Sequence, residues 1–197
     1  MSPQDKERQK IADLIAKIQL KDAVITNIDG YFYRTVSYRY SRNALSTKGA
    51  QITGGRYNFC PPNGNSFPCL YCGEQDFTAS TEKFYRLKTK KAPLPPHTVV
   101  CVKVRLSKVL NLDTPDKCQQ AGIDWDAINE PWEYHQDILQ IPAYTQRIGG
   151  ISYETKGLEG IMFASTKVNN TVNLAVFTEK LAPNSLLEIY DPRGELE

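Results

Sequence analysis

The 197-residue sequence predicts an α+β fold, with mixed or antiparallel sheets and an N-terminal amphipathic helix. Three observations lead there. Apolar residues recur at helical spacing near the N-terminus, at Ile11, Leu14, Ile15 and Ile18. Strand-like runs cluster without regular alternation with helices, which argues against a doubly wound parallel sheet. No Gly-x-Gly-x-x-Gly follows a strand and no Walker loop occurs, so any dinucleotide must be held in another way.

Ser2-Pro3-Gln4-Asp5 opens the first helix, with serine as cap, proline at the first helical position and an acid three residues after the cap. The helix is expected over residues 3–20, its apolar stripe packed on the domain, and Asp29-Gly30 reads as a turn soon after. Residues 31–37 alternate aromatic and small side chains, a short strand carrying Arg34. Residues 39–55 read as a long loop or broken helix. Residues 60–68, with three prolines and a glycine, are turn-dense, and loops of this length tend to be functional. Leu70 and Tyr71 suggest a strand over 67–72.

Residues 78–87 are predicted helical, with Phe77, Phe84 and Leu87 as an apolar edge and Glu82 on a neighbouring face. The basic, proline-rich stretch 88–97 reads as a solvated connector. Val100, Val102, Val104 and Leu106 share one face of the clearest strand, residues 98–106. Residues 116–139 mix helical fragments broken near Pro131, and 142–153 read as helix despite Gly149-Gly150. Residues 161–163, 173–177 and 186–190 are short strands, with a polar loop, 165–170, between the first two. The whole reads as one domain, with 1–28 as a helical N-terminal segment and 29–190 as the core.

Hydrophobic residues make up 41% of the chain, enough for a real core. The 24 basic and 22 acidic side chains leave a charge of +2, with no long basic block, which excludes a broad nucleic-acid or anionic-membrane surface. Anion recognition must therefore be local. Apolar runs fall short of the about 20 residues that a bilayer span needs. The N-terminus is too charged for a signal-peptide core, so the expectation is a cytoplasmic protein. The five cysteines (Cys60, Cys69, Cys72, Cys101 and Cys118) make an odd count that favours reduced thiols. Cys69-Leu-Tyr-Cys72, with Cys60 and His97 or His135, raises the question of zinc. On a strand, side chains three apart point to opposite faces, so buried small hydrophobes are the better reading and no metal is expected.

The most informative stretch is Gly54-Gly55-Arg56-Tyr57-Asn58, preceded by Tyr33-Arg34 and followed by Leu70-Tyr71-Cys72 and Ala79-Ser80-Thr81-Glu82. Arginine presents a planar fork that grips phosphate oxygens bidentately, and paired glycines remove side chains that would keep a ligand off the backbone. Two arginines, a tyrosine and a glutamate in this order suit an anionic, aromatic-headed ligand.

The order of these motifs resembles the RES family, named for its Arg, Glu and Ser. The resemblance rests on Phe32-Tyr33-Arg34-Thr35-Val36, Gly54-Gly55-Arg56-Tyr57-Asn58, Leu70-Tyr71, Ala79-Ser80-Thr81-Glu82, Gly160-Ile161-Met162-Phe163-Ala164-Ser165 and Asn173-Leu174-Ala175-Val176-Phe177. Tyr57 stands where the family more often has Trp, and Ser80-Thr81 replaces smaller, more apolar residues. Neither change removes a reacting group.

The resemblance implies a fold like that of ADP-ribosyltransferase toxins. It also implies the role of a toxin that consumes NAD+ and is neutralised by a helix-turn-helix antitoxin in a joint oligomer. NAD+ is then substrate, with no separate cofactor, and the acceptor is inorganic phosphate (NAD+ phosphorylase), water (glycohydrolase) or a protein (ADP-ribosyltransferase). Glu82 becomes the carboxylate that stabilises an oxocarbenium-like ribose as nicotinamide leaves. Arg34 and Arg56 hold the pyrophosphate, one of them orienting attacking phosphate in a phosphorolytic enzyme. Tyr71 stacks on nicotinamide, Ser165 bonds the carboxamide or the ribose, and Tyr57 and Asn58 support them.

Each residue also has a plainer reading by itself. Arg34 suits a structural cation–π or salt-bridge role, Glu82 a solvated helix position, Tyr71 the core and Ser165 a cap or turn. A hydrolase or transferase using a Cys-His or His-based site, with His97 or His135 as base, and a non-catalytic binding module on the same fold, are the alternatives.

Overall fold

The alternating valines begin the longest strand, β3 (His97–Leu112), and the sheet is built along its two edges. In the computed structural model, which describes residues 2–20 and 24–194, one edge pairs antiparallel with β1 (Ile25–Ser37). The register runs from Ser37 opposite His97 to Ile25 opposite Leu110. The other edge carries β6 (Leu186–Ile189), antiparallel on residues 102–105, and β4 (Gly160–Ala164), parallel on residues 109–112. β4 pairs antiparallel with β5 (Val172–Val176), and β5 with β2 (Leu70–Gly73). β2 then meets β1 at Gly73 and Tyr33. The order β1-β2-β5-β4-β3-β6, with β1 also paired to β3, closes the ladder on itself. This is the mixed α+β architecture expected.

Two apolar clusters lie on the two faces. Val100, Val102, Val104, Leu106 and Val109 join Phe32, Leu70 and Leu174 in one, whereas Leu110 and Leu112 turn to the other, with Tyr57, Ile148 and Phe177. A β-bulge makes the change of face. Thr26 and Ile28 oppose Val109 and Leu106, so β3 has one residue more than β1 across this step.

Glu159 holds the bulge. It is completely buried, and its carboxylate accepts the N–H groups of Ser107 and Lys108 at 2.6 and 3.0 Å, that of Ala182 at 2.8 Å, and the Ser185 hydroxyl. Its own N–H donates to the Lys108 carbonyl and its carbonyl accepts from Phe177 N–H. Burial alone would push the carboxyl pKa up. The four hydrogen bonds, led by that from Ala182, outweigh burial and hold it below the ordinary value.

α1 (Pro3–Ile15) opens on the expected capping box, Ser2 Oγ accepting from Asp5 N–H and the Asp5 carboxylate from Ser2 N–H. It ends before residue 20, because the following chain lies against residues 121–122. Gln19 N–H donates to Ala121 O, and a Cβ on Gly122 would fall 2.0 Å from the Lys17 carbonyl. Ile11 is buried, and Leu14, Ile15 and Ile18 still pack on the core. Asp29-Gly30 is not a turn. Both residues sit within β1, opposite Arg105 and Val104, and Asp29 takes an ion pair from Arg105 Nε at 3.0 Å, so the ladder overrides the local turn preference. The expected boundary between 28 and 29 therefore falls inside a strand.

A 3-10 turn (Tyr38–Asn43) and α2 (Lys48–Thr53) occupy the stretch read as loop or broken helix. α3 is Asp76–Thr89. α4 (Pro115–Gln120), α5 (Trp125–Asn129) and a π-helical turn (Tyr134–Leu139) are the expected fragments, followed by α6 (Tyr144–Glu154). The cysteines form no disulfide. Cys69 packs in one cluster and Cys72 in the other, the opposite facing expected of strand positions three apart, and burial pushes both thiols up to about 12. No described helix is long and apolar enough to cross a membrane.

Glu159→Gln replaces a charged acceptor with an amide that turns a donor toward buried donors, and should cost on the order of 3 kcal/mol in chemical unfolding. Because the folded pKa is lowered, the stabilisation is complete above the ordinary value of 4.5 and is lost as pH falls below it. The acid limb of wild-type unfolding should therefore flatten in Glu159→Gln.

Candidate active site

α3 presents Glu82, and three contacts set its position. Gly73 turns the chain from β2 so tightly that a Cβ there would fall 2.8 Å from Ala79 N. Ser80 Oγ lies 3.1 Å from Thr35 Oγ1 on β1. Buried Phe84 meets the His97 ring edge-on, 4.7 Å between centroids. Glu82 is left half-buried against the end of β4 and the head of β5.

There Glu82 Oε1 accepts the Ser165 hydroxyl at 2.6 Å and the Asn173 amide at 2.8 Å. Ser165 Oγ also accepts the N–H groups of Lys167 and Val168 at 3.1 and 3.0 Å, while Ser165 N–H donates to Thr171 O at 2.9 Å. A hydroxyl has one proton and two lone pairs, and all three are engaged. Loop 165–170 is thereby folded around the serine that holds the carboxylate.

Arg34 forms a second corner. Its Nη1 donates to Tyr71 O at 2.9 Å and Nη2 to Ser46 O at 3.1 Å, and its buried Nε has no partner. Among the described residues no carboxylate pairs with it, and burial pushes its pKa down. Burial, and then the Arg34 charge, also lower Lys83, the residue after Glu82 on α3. Arg34 thus stands within electrostatic reach of the residue next to Glu82.

Tyr71 joins this corner to the glycine-rich loop. Its hydroxyl accepts Tyr57 N–H at 2.9 Å and donates to Asn58 Oδ1 at 2.7 Å, while Asn58 Nδ2 donates to Ala50 O at 2.8 Å. Burial pushes the phenol pKa well above its ordinary range, although part of the residue's surface stays open. A Cβ on Gly55 would fall 2.8 Å from the Tyr71 ring, so the second glycine admits the tyrosine. Gly54 takes φ 69°, where a side chain would be strained and would also strike Gln136. Buried Gln146 braces the loop from α6, donating to Gly55 O and to Gln136 Oε1 at 3.0 and 2.8 Å. A Cβ on Gly149 would fall 1.6 Å from the Tyr57 carbonyl, so α6 lies directly on the loop. Tyr57 is completely buried, its ring 4.7 Å from Phe163.

The structure thus brings Glu82 and Ser165 into contact, and Arg34, Tyr71, Tyr57 and Asn58 into one connected corner. Arg56 points elsewhere, its Nη2 donating to Ile128 O on α5. Asn173 is the contact missing from the residues singled out by sequence. Its signal was an amide heading an otherwise apolar run. Gln136 and Gln146 left none, since only folding carries them to the loop. His97 bonds Pro95 O and His135 pairs with Glu7, and no hydrogen bond from either ring to a serine or cysteine side chain occurs among the described residues. No group of three His, Cys, Asp or Glu that could hold a metal occurs among the described residues.

The model of the RES domain family matches residues 31–195, which include every residue of both corners. Among solved structures, a chain of the M. tuberculosis MbcT-MbcA toxin-antitoxin complex is similar at TM-score 0.58 and 19% identity. That similarity covers 92% of this chain and 88% of the other. No curated protein matches the chain.

Tyr71→Phe keeps the ring but strands Asn58 Oδ1 and Tyr57 N–H, and should lower stability by about 1–3 kcal/mol in denaturant unfolding. Amide hydrogen exchange at Tyr57 should accelerate well beyond the global change, which would locate the effect in this loop.

Proposed function

The chain belongs to the RES domain family, and on that premise we propose that it is a toxin that breaks the nicotinamide–ribose bond of NAD+ and is restrained by an antitoxin. The observation that carries this reading is a half-buried carboxylate held by two donors on one oxygen, together with an Arg34 guanidinium that pairs with main-chain carbonyls and with no described carboxylate. A half-buried cation without a carboxylate partner suits an anionic ligand that supplies one.

As the bond breaks, positive charge builds on the ribose and the pyridinium leaves as a neutral ring, so no general acid is required. Glu82 stabilises that ribose by charge and by accepting from a ribose hydroxyl. Ser165, fully engaged in the free protein, acts by holding Glu82. Arg34 takes phosphate oxygens of the dinucleotide or of an attacking inorganic phosphate through its planar fork, whereas Arg56, turned to Ile128 O on α5, is given no ligand contact. Tyr71 offers its ring to the nicotinamide while its hydroxyl braces the loop. Tyr57 and Asn58 serve from behind. Phosphorolysis and hydrolysis use the same groups and differ only in the acceptor.

Work in the cytoplasm, where NAD+ is available, would make such a protein harmful to its own cell. A partner that covers the mouth between residues 54–58 and 165–170 is the simplest restraint. The toxin–antitoxin complex that holds the similar chain supports a partner of that kind.

Glu82→Gln should fold normally and bind NAD+, but release nicotinamide about 10²–10³-fold more slowly. Near wild-type turnover in the folded variant rules out the assignment. Arg34→Lys keeps the charge and loses the fork, so NAD+ affinity should fall with the oligomeric state unchanged. Assays with and without inorganic phosphate, with the ribosyl product identified by mass, separate phosphorolysis from hydrolysis. Expression of the wild type alone should arrest growth and lower cellular NAD+, and Glu82→Gln should do neither.

A further inference from the structure

We infer that Asn173 is a positioning residue that, together with Ser165, anchors Glu82 by Oε1 and so turns Oε2 toward the ligand. The inference rests on the proposed role of Glu82. Asn173 is only 5% exposed and lies on β5, paired between Gly73 of β2 and Phe163 of β4. It is therefore fixed by two ladders, unlike Ser165, which sits in a loop. Its amide reaches Glu82 Oε1 at 2.8 Å, from a strand rather than from the loop that carries the serine, but at the same oxygen. Neither bond engages Oε2.

Two donors on one carboxylate oxygen have two consequences. They restrict the glutamate side chain to one orientation, which removes entropy that would otherwise be lost on reaching the transition state. They also satisfy one oxygen of a half-buried carboxylate, so that the other oxygen is the one presented to a ligand. Charges on the surrounding elements include Asp76, Lys83 and Lys88 on α3, Asp29 and Arg34 on β1, Lys167 in the 165–170 loop, and Glu74, whose carboxylate accepts Val172 N–H at the head of β5. None of the hydrogen bonds to Oε1 comes from them, so the amide's contribution can be removed without changing a formal charge.

The experiment compares Asn173→Ala with the isosteric Asn173→Asp, each also made in the Glu82→Gln background. In Asn173→Ala, kcat for nicotinamide release should fall by up to about 100-fold with KM nearly unchanged. Asn173→Asp preserves shape but sets a carboxylate against a carboxylate, so it should be worse than alanine. A packing role predicts the opposite order. Neither change should slow the residual rate of Glu82→Gln further.

A second readout does not depend on turnover. Three-bond couplings about the Glu82 side-chain torsions, with Glu82→Gln identifying the signals, should report one rotamer in the wild type and averaging over several in Asn173→Ala. If wild-type protein releases no nicotinamide with any acceptor, the proposed function fails, and these couplings alone decide whether Asn173 positions Glu82. Unchanged couplings overturn the inference. So does wild-type turnover in Asn173→Asp, or a loss in Asn173→Ala that persists in full beside Glu82→Gln.

Discussion

The structure depends on one buried carboxylate. Glu159 meets the amides of a bulge in β3, the amide of Ala182 and the hydroxyl of Ser185, and its own main chain links β3 to the residue after β5. A charge taken wholly out of water is tolerated only when its lone pairs are filled, and here they are filled by groups from three parts of the chain. The bulge lets β3 send Val104 and Leu106 to one cluster and Leu110 and Leu112 to the other. Without it, a single register would put every alternate residue of this strand on one face.

The closed ladder that follows places the candidate site. β1 carries Arg34, β2 carries Tyr71, and β4 and β5 end and begin on either side of the Ser165 loop. α3, tied to β1 through Ser80 and to β2 through Gly73, lays Glu82 across the gap between them. Opposite charges therefore sit on separate rigid elements, Glu82 on a helix and Arg34 on a strand, each with main-chain or side-chain partners of its own. No ion pair joins them, and each keeps hydrogen-bond partners of its own.

The glycine-rich stretch serves the site in a less direct way than its composition suggests. Gly55 makes room for Tyr71, Gly54 takes a positive φ, and Gly149 lets α6 rest on the main chain of Tyr57. The loop is a braced wall, with Gln146 and Gln136 behind it and the Tyr71 hydroxyl in front. Arg56 leaves that wall toward α5. The residues of this wall thus spend much of their hydrogen-bonding capacity on one another, a mark of preorganisation rather than of an open, adaptable surface.

Much of this was legible in the amino-acid sequence by itself. The capped start of α1, the alternating face of β3, the helix bearing Glu82 and the short strands around the 165–170 loop are all local signals, set by side-chain period and by capping chemistry between near neighbours. The order of Arg34, Arg56, Tyr71, Glu82 and Ser165 was legible too, as a resemblance. What the tertiary structure alone decided depends on residues far apart in the chain. Asp29-Gly30 became mid-strand because Arg105 and Val104 lie opposite, and α1 stopped early because Gly122 packs on Lys17. Asn173 became a partner of Glu82, Gln146 a support for Gly55, and Glu159 the keystone of β3. A buried polar side chain acquires its meaning from the donors that folding brings to it, and no periodicity in one segment encodes groups contributed by another.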